Sequence, residues 1–204
     1  MTAQRALDVS ALPAESISSQ APAWWGQLFL TFIEGSMFFI LLAMYFYYRL
    51  SYDVWPPPGV QMPDEWIPGI ALIPLLASAI GSYLASEGAK KDSRSEMLFG
   101  LAINVVLATC FLALRVVEWS RWNFTWRAGA YGSIDWTIMG LHTLDAVADV
   151  IFTFVLRVMV AIGKTGPKQR LGVHVDSIVW YFIVLIWLPL YVAIYWGPHL
   201  VGAP

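Results

Sequence analysis

GLHTLDAVADV, residues 140–150, lies inside an otherwise apolar stretch that runs from about 136 to 162. Read as a helix, it places His142, Asp145 and Asp149 at i, i+3 and i+7 and turns all three toward one face. Carboxylates near the middle of a bilayer cost several kcal/mol each unless they are paired, protonated or wetted. Whatever compensates them organises the rest of the chain: a metal, a proton path, a lipid headgroup or a partner protein.

The surrounding composition makes the membrane reading compelling. The 204 residues are 58% hydrophobic and 13% charged, with a mean hydropathy of +0.62, whereas soluble domains carry about 25% charged residues. Aromatics make up 15%, eleven of them Trp, as in membrane proteins with aromatic belts at both interfaces. A net charge of -2 without a basic run gives no sign of nucleic-acid binding. The one cysteine, Cys110, excludes a disulfide framework and a cysteine-based zinc site. The polar first twenty residues lack the apolar stretch of a signal peptide.

In chain order, residues 1–23 read as a polar N-terminal tail, and 24–204 as one membrane domain. The first span, about 25–47, is long enough at about 1.5 Å per residue to cross the hydrocarbon, and it carries Glu34. After a girdle of Tyr45, Tyr47, Tyr48 and Arg49 comes a loop stiffened by Pro56, Pro57 and Pro58. The second span, about 66–85, has ridges of Ala77, Gly81, Ala85 and of Ser78, Ser82, Ser86, whose four-residue spacing suits close helix packing. The third, about 97–117, ends near Arg115 and Glu118, spaced i, i+3 for a local pair. Trp119, Trp122 and Trp126 follow; they would share a face on an interfacial helix, and a subunit-docking surface is the sharper alternative. Asn123-Phe124-Thr125 is a formal glycosylation sequon. The fourth span, about 136–162, holds His142, Asp145, Asp149 and Arg157. A basic loop then leads, past His174 and Asp176, to the fifth span at about 177–196.

The expected fold is all-α: a polytopic membrane protein built as a five-transmembrane-helix bundle. Arg5, Lys90, Lys91, Arg94, Lys164, Lys168 and Arg170 fall on one side, and Arg49, Arg121 and Arg127 on the other. The positive-inside rule therefore places the N-terminus in the cytoplasm and the C-terminus outside. Within the spans His142 is the one histidine. A transition-metal site needs more such ligands, and the Glu-x-x-His pairs of di-iron bundles are absent. An ion route is conceivable from the acids, yet no inverted repeat is visible. A polar cluster that orients helices and meets a lipid or a neighbouring subunit accounts for the residues with fewest assumptions.

The ordered motifs also resemble a known family. FIEGSMFFILLAMYFYYRL, residues 32–50, is similar to the helix with a single intramembrane Glu in subunit III of the haem–copper respiratory oxidases, cytochrome c oxidase subunit III. WPPPG resembles the Pro-rich loop after that helix in some bacterial members, and LRVVEW, with Glu118, resembles the family's Gln-Ala-x-Glu-Tyr segment. AYGSIDWTIMGLHTLD, residues 130–145, resembles the Tyr-Gly-Ser segment leading into Gly-x-His-x-x-His, with Asp145 at the second His. HVDSIVWYF, residues 174–182, resembles the last-helix motif His-Phe-Val-Asp-x-Val-Trp with altered spacing.

The resemblance implies a five-helix, divergent subunit without redox centres of its own. Haem and copper would reside in a partner catalytic subunit I, and this chain would hold phospholipid and support proton uptake and stability in a bacterial inner membrane. Glu34 and His142 take the positions of the family's buried Glu and first His; Glu118, His174 and Asp176 match more loosely; Asp145, Asp149 and Arg157 complete the polar set. An accessory subunit of a nitric-oxide-reductase-type complex is the neighbouring reading. A small membrane enzyme or carrier using Glu34, His142, Asp145 and Asp149 is the reading from another class.

Overall fold

The computed structural model describes residues 17–19 and 21–200, so most of the expected tail over 1–23 lies outside the described residues. Among those described there are five long helices and no strand: α1 Pro22–Ser51, α2 Trp66–Lys90, α3 Arg94–Arg121, α4 Gly129–Ala161 and α5 Pro167–Tyr191. A π-helical turn, Val192–Trp196, and a helical turn, Gly197–Leu200, continue α5. Helices α1, α2, α3 and α5 with its continuation to Trp196 are long and apolar enough to cross a membrane. The fourth, at 33 residues, is long enough but is diluted by His142, Asp145, Asp149 and Arg157. The chain is an all-α membrane protein.

Local chemistry explains where the helices stop. Pro22 and Pro167 sit in the first turns of α1 and α5, where a missing N–H costs nothing. Ser93 caps α3 by accepting from the Glu96 N–H at 3.4 Å. Gly163, at φ 87°, takes the left-handed conformation that closes α4. Arg94 then bridges two helices, donating from Nε to the Val160 carbonyl at 3.1 Å and from NH2 to that of Ala161 at 2.6 Å. The Val160 carbonyl also accepts from the Gly163 N–H at 3.1 Å, so Arg94 adds to the capping of a helix end whose last carbonyls run short of intrahelical donors.

The helices overrun the apolar spans at several boundaries, and three differences from the sequence expectation move polar or aromatic residues. Helix α4 begins at Gly129 rather than near 136, so Asp135 is helical and fully buried. Helix α5 begins at Pro167, so most of the basic stretch is helix and His174 and Asp176 lie within it. Hydropathy marks where lipid begins, whereas backbone hydrogen bonding continues past that level. The backbone turns extended at Trp122, so Trp119, Trp122 and Trp126 do not share a helical face. Trp119 and Trp122 pack inward while Trp126 stays exposed: Trp122 stacks on Phe124 at 4.7 Å, and Trp136 receives Trp119 at 5.3 Å and Trp122 at 5.2 Å.

Helix α5 touches α1, α2 and α4, while α2 and α3 form a tight hairpin and α4 packs on α3 and α1. Small residues permit the hairpin: a Cβ on Gly81 would come within 2.6 Å of the Asn104 N, and one on Gly100 would collide with the Ala85 N. The serine ridge of α2 is a polar seam. Ser78 accepts from Trp180 Nε1 at 2.8 Å, Ser82 accepts from Asn104 Nδ2 at 2.5 Å, and Ser86 Oγ lies 2.8 Å from His174 Nδ1. Ser177 adds a bond to the Ser82 carbonyl at 3.0 Å. At one end of the bundle the Pro-rich loop folds down on Trp55, which packs 4.9 Å from Tyr131 and 5.8 Å from Tyr45. Asn123 ties the two loops there, accepting from the Gln61 N–H at 3.1 Å and donating to the Gly59 carbonyl at 3.4 Å. The sequon's amide is engaged in loop structure.

Candidate functional site

The polar residues of the spans form two clusters at different levels. The first joins α1, α4 and α5. Helices α1 and α4 are in contact, and the carboxylates of Glu34 and Asp145 lie close enough for their charges to act on one another. Asp149 is likewise close enough to Glu34 and Asp176 for their charges to act on it. The three residues of the opening motif do not share one environment. At about 100° per residue, His142 and Asp149 nearly coincide in angle while Asp145 is displaced by about 60°. Accordingly His142 is 0% and Asp149 6% exposed, and Asp145 sits half-buried at the edge.

Asp176 is held by Thr153, whose hydroxyl donates to Oδ1 at 3.1 Å and Oδ2 at 3.0 Å. Asp149 Oδ2 is buried without a hydrogen-bond partner. The relation between Glu34 and Asp145 is therefore one of two acids, and the structure supplies no ion pair between them. Arg157 does not compensate them: it is half-buried, and its Nε has no hydrogen-bond partner. His174 turns away to Ser86 on α2.

His142 is separated from these acids by its own packing. Its Nε2 lies 3.0 Å from the Ile183 carbonyl, and since a carbonyl only accepts, Nε2 carries the proton. The ring lies 4.6 Å from Trp187, 6.0 Å from Phe111 and 6.4 Å from Phe38. Nδ1 is buried without a partner. An imidazole boxed by rings from α1, α3 and α5 orients helices, and its remaining nitrogen reaches no second ligand.

The second cluster centres on Arg115, 1% exposed, and Glu118, 2% exposed. Arg115 NH1 donates to Glu118 Oε2 at 3.2 Å and to Met139 Sδ at 3.1 Å. The other Glu118 oxygen accepts from the Tyr195 hydroxyl. The i, i+3 pairing of Arg115 with Glu118 is as spacing suggests; the participation of Tyr195, Met139 and Trp187 is not visible in any local pattern. Asp135 and Tyr131 were also missed, because the helix that carries them starts before the apolar stretch. Only the aromatic run around Trp55 and Tyr131 hints that this end is closed.

Among the described residues no group of three or more His, Cys, Asp and Glu is arranged to hold a metal ion. One hydroxyl there meets an imidazole, Ser86 Oγ at 2.8 Å from His174 Nδ1, in a contact that joins α2 to α5. The arrangement can hold protons, bind helices together and present half-buried acids at a helix edge.

Comparison with known proteins gives this arrangement a context. The family model described as cytochrome c oxidase subunit III matches residues 17–198. The cytochrome c oxidase subunit 3 of Prototheca wickerhamii is 29% identical over 180 residues, covering 85% of this chain and 69% of that protein. That of Latimeria chalumnae is 30% identical over 175 residues, covering 82% of this chain and 67% of the relative. The horse protein, from Equus caballus, is 28% identical over 176 residues, with 82% and 67% covered.

Proposed function

The chain belongs to the cytochrome c oxidase subunit III family, and from that premise we propose that it is a non-catalytic accessory subunit of a bacterial haem–copper terminal oxidase. It packs beside the catalytic subunit I, which carries the haem and copper, and contributes lipid contacts, proton uptake and stability. It crosses the membrane five times, with its N-terminus in the cytoplasm and its C-terminus outside. In this reading α4 spans as well, its acids sheltered by α1 and α5.

The observation that carries the proposal is the family match across almost the whole helical bundle. The two polar clusters agree with it, since both join helices to one another. Glu34, His142, Asp145, Asp149, Arg157, Glu118, His174 and Asp176 are support residues: they fix helix positions, hold protons or meet lipid and partner.

Gentle purification of the tagged chain from its membrane tests the proposal. A co-purifying haem- and copper-bearing subunit with oxidase activity is the expected result. A haem-free chain with an activity of its own would overturn it. Co-purification with a nitric-oxide-reducing partner would move the assignment to that relative.

A further inference from the structure

Helix α2 begins and α5 ends beside a groove of about 360 Å³. Trp66, Gly69, Ile70 and Ile73 line its α2 side, spaced i, i+3, i+4 and i+7 on one helical face. Tyr191 and Trp196 line the other side. An α-helix turns residues five apart about 140° away from one another. Here the chain makes a π-helical turn over Val192–Trp196, and the Gly197 N–H reaches back to the Val192 carbonyl. Bonds that run from i to i+5 bring residues five apart nearly into register, so both aromatics look into the same groove. Gly69 keeps its floor low: a Cβ there would stand 3.5 Å from the Tyr191 hydroxyl.

The groove is apolar along its length and acidic at its rim. Trp66, Ile70, Ile73 and Trp196 are exposed, and Glu65, half-buried, brings a carboxyl group to the edge. Among the described residues no lysine, arginine or histidine lines it. Tryptophans of a membrane protein sit at headgroup level, and the face of an indole attracts an ammonium group. A carboxylate beside those faces adds a charge-assisted hydrogen bond to the same cation. The branched walls of Ile70 and Ile73 suit a hydrocarbon chain. An anionic headgroup would meet Glu65 as a like charge, so the groove complements a lipid whose head carries an amine.

We propose that the α2–α5 groove binds one amine-headed phospholipid, with its ammonium group against Glu65 and the faces of Trp66 and Trp196. One acyl chain lies along Ile70 and Ile73, and the Tyr191 hydroxyl donates to the phosphate. This gives a place and a headgroup chemistry to the lipid contact of the proposed function, on which it rests only for the chain's position in the bilayer.

The full chain, purified in detergent with the subunits that accompany it, is titrated with phosphatidylethanolamine or phosphatidylglycerol of matched acyl chains, and bound lipid is counted by native mass spectrometry. The expected result is one phosphatidylethanolamine held in preference to phosphatidylglycerol. Trp196→Leu should weaken it about two- to fivefold, the range for one exposed cation–π contact, and Glu65→Gln should abolish the preference for the amine. Phe29→Leu, an exposed position on α1, should change neither. Equal retention of the two lipids overturns the proposal. So does a preference that survives both Glu65→Gln and Trp196→Leu, as it would if a neighbouring subunit filled the groove and the lipid bound elsewhere. If Trp196→Leu does not accumulate, Trp66→Leu on the opposite side carries the same expectation. Failure to find a haem-bearing partner would leave this selectivity unchanged, so the two proposals fail separately.

Discussion

The guanidinium carbon of Arg115 lies 3.9 Å from the centre of the Trp187 ring, and this contact holds a cation in a place water does not reach. The same guanidinium bonds Glu118 at 3.2 Å, while its Nε and NH2 have no hydrogen-bond acceptor. The faces of Trp187 and of Phe111, 5.0 Å away, stand in for solvent. Removing one member of such a pair strands the other charge, at about 3–5 kcal/mol. Arg115→Leu is therefore expected to lower thermal stability in detergent sharply. The double variant Arg115→Leu/Glu118→Leu is expected to recover much of the loss, since no charge is left stranded. A double variant no better than the single one would show that Glu118 is stabilised without the arginine.

Glycine spacing gives a paired prediction. A methyl on Gly81 meets the Asn104 N at 2.6 Å and the Gly100 carbonyl at 2.9 Å, whereas one on Gly140 meets nothing within 4 Å. Gly81→Ala is expected to destabilise the α2–α3 hairpin by about 1–3 kcal/mol, the usual range for overpacking. Gly140→Ala is expected to be neutral or slightly stabilising, because alanine favours helix. Comparing the melting temperatures of the two variants checks both.

His142 and Asp145 should separate cleanly despite lying three residues apart. His142→Ala empties a box lined by Phe38, Phe111 and Trp187, and a loss of about 3 kcal/mol is expected, as for large-to-small core changes. Asp145→Asn is expected to stay within about 0.5 kcal/mol of the native chain, because Asp145 is half-buried and faces the like charge of Glu34. Its effect should appear in assembly or in sustained turnover of a complex. Loss of all activity in a correctly assembled Asp145→Asn complex would make Asp145 part of the chemistry.

Orientation is accessible to labelling. Lys164 and Arg127 are both exposed and lie in the α4–α5 and α3–α4 connections, at opposite ends of α4. In a Cys110→Ser background, a cysteine replacing Lys164 is expected to react with an impermeant maleimide only after the cells are opened. A cysteine replacing Arg127 is expected to react in intact cells with their plasma membrane exposed. The reverse pattern would invert the proposed topology.

Much of the fold could be read from one dimension. Apolar runs of membrane length, small residues at four-residue intervals and proline at helix starts are local signals with local causes. They located the helices, the packing role of α2 and the pairing of Arg115 with Glu118. They misplaced the starts of α4 and α5, because those helices continue beyond the apolar stretch, through Asp135 at one and His174 at the other.

The polar site divides along the same line. That acids lie among apolar residues, and that His142 and Asp149 fall on one helical face, follows from sequence and the helical repeat alone. Which helix each side chain meets was decided by tertiary packing. GLHTLDAVADV reads as one cluster, yet His142 went to the carbonyl of Ile183 and the aromatic box, Asp149 to a buried position where its Oδ2 has no partner, and Asp145 to the half-buried edge. The physical reason is that a helix dictates the angle at which a side chain leaves its axis, while partners depend on which neighbours pack at that angle. Those neighbours lie about forty residues away for His142 and more than a hundred for Glu34 and Asp145, separations over which no local periodicity extends.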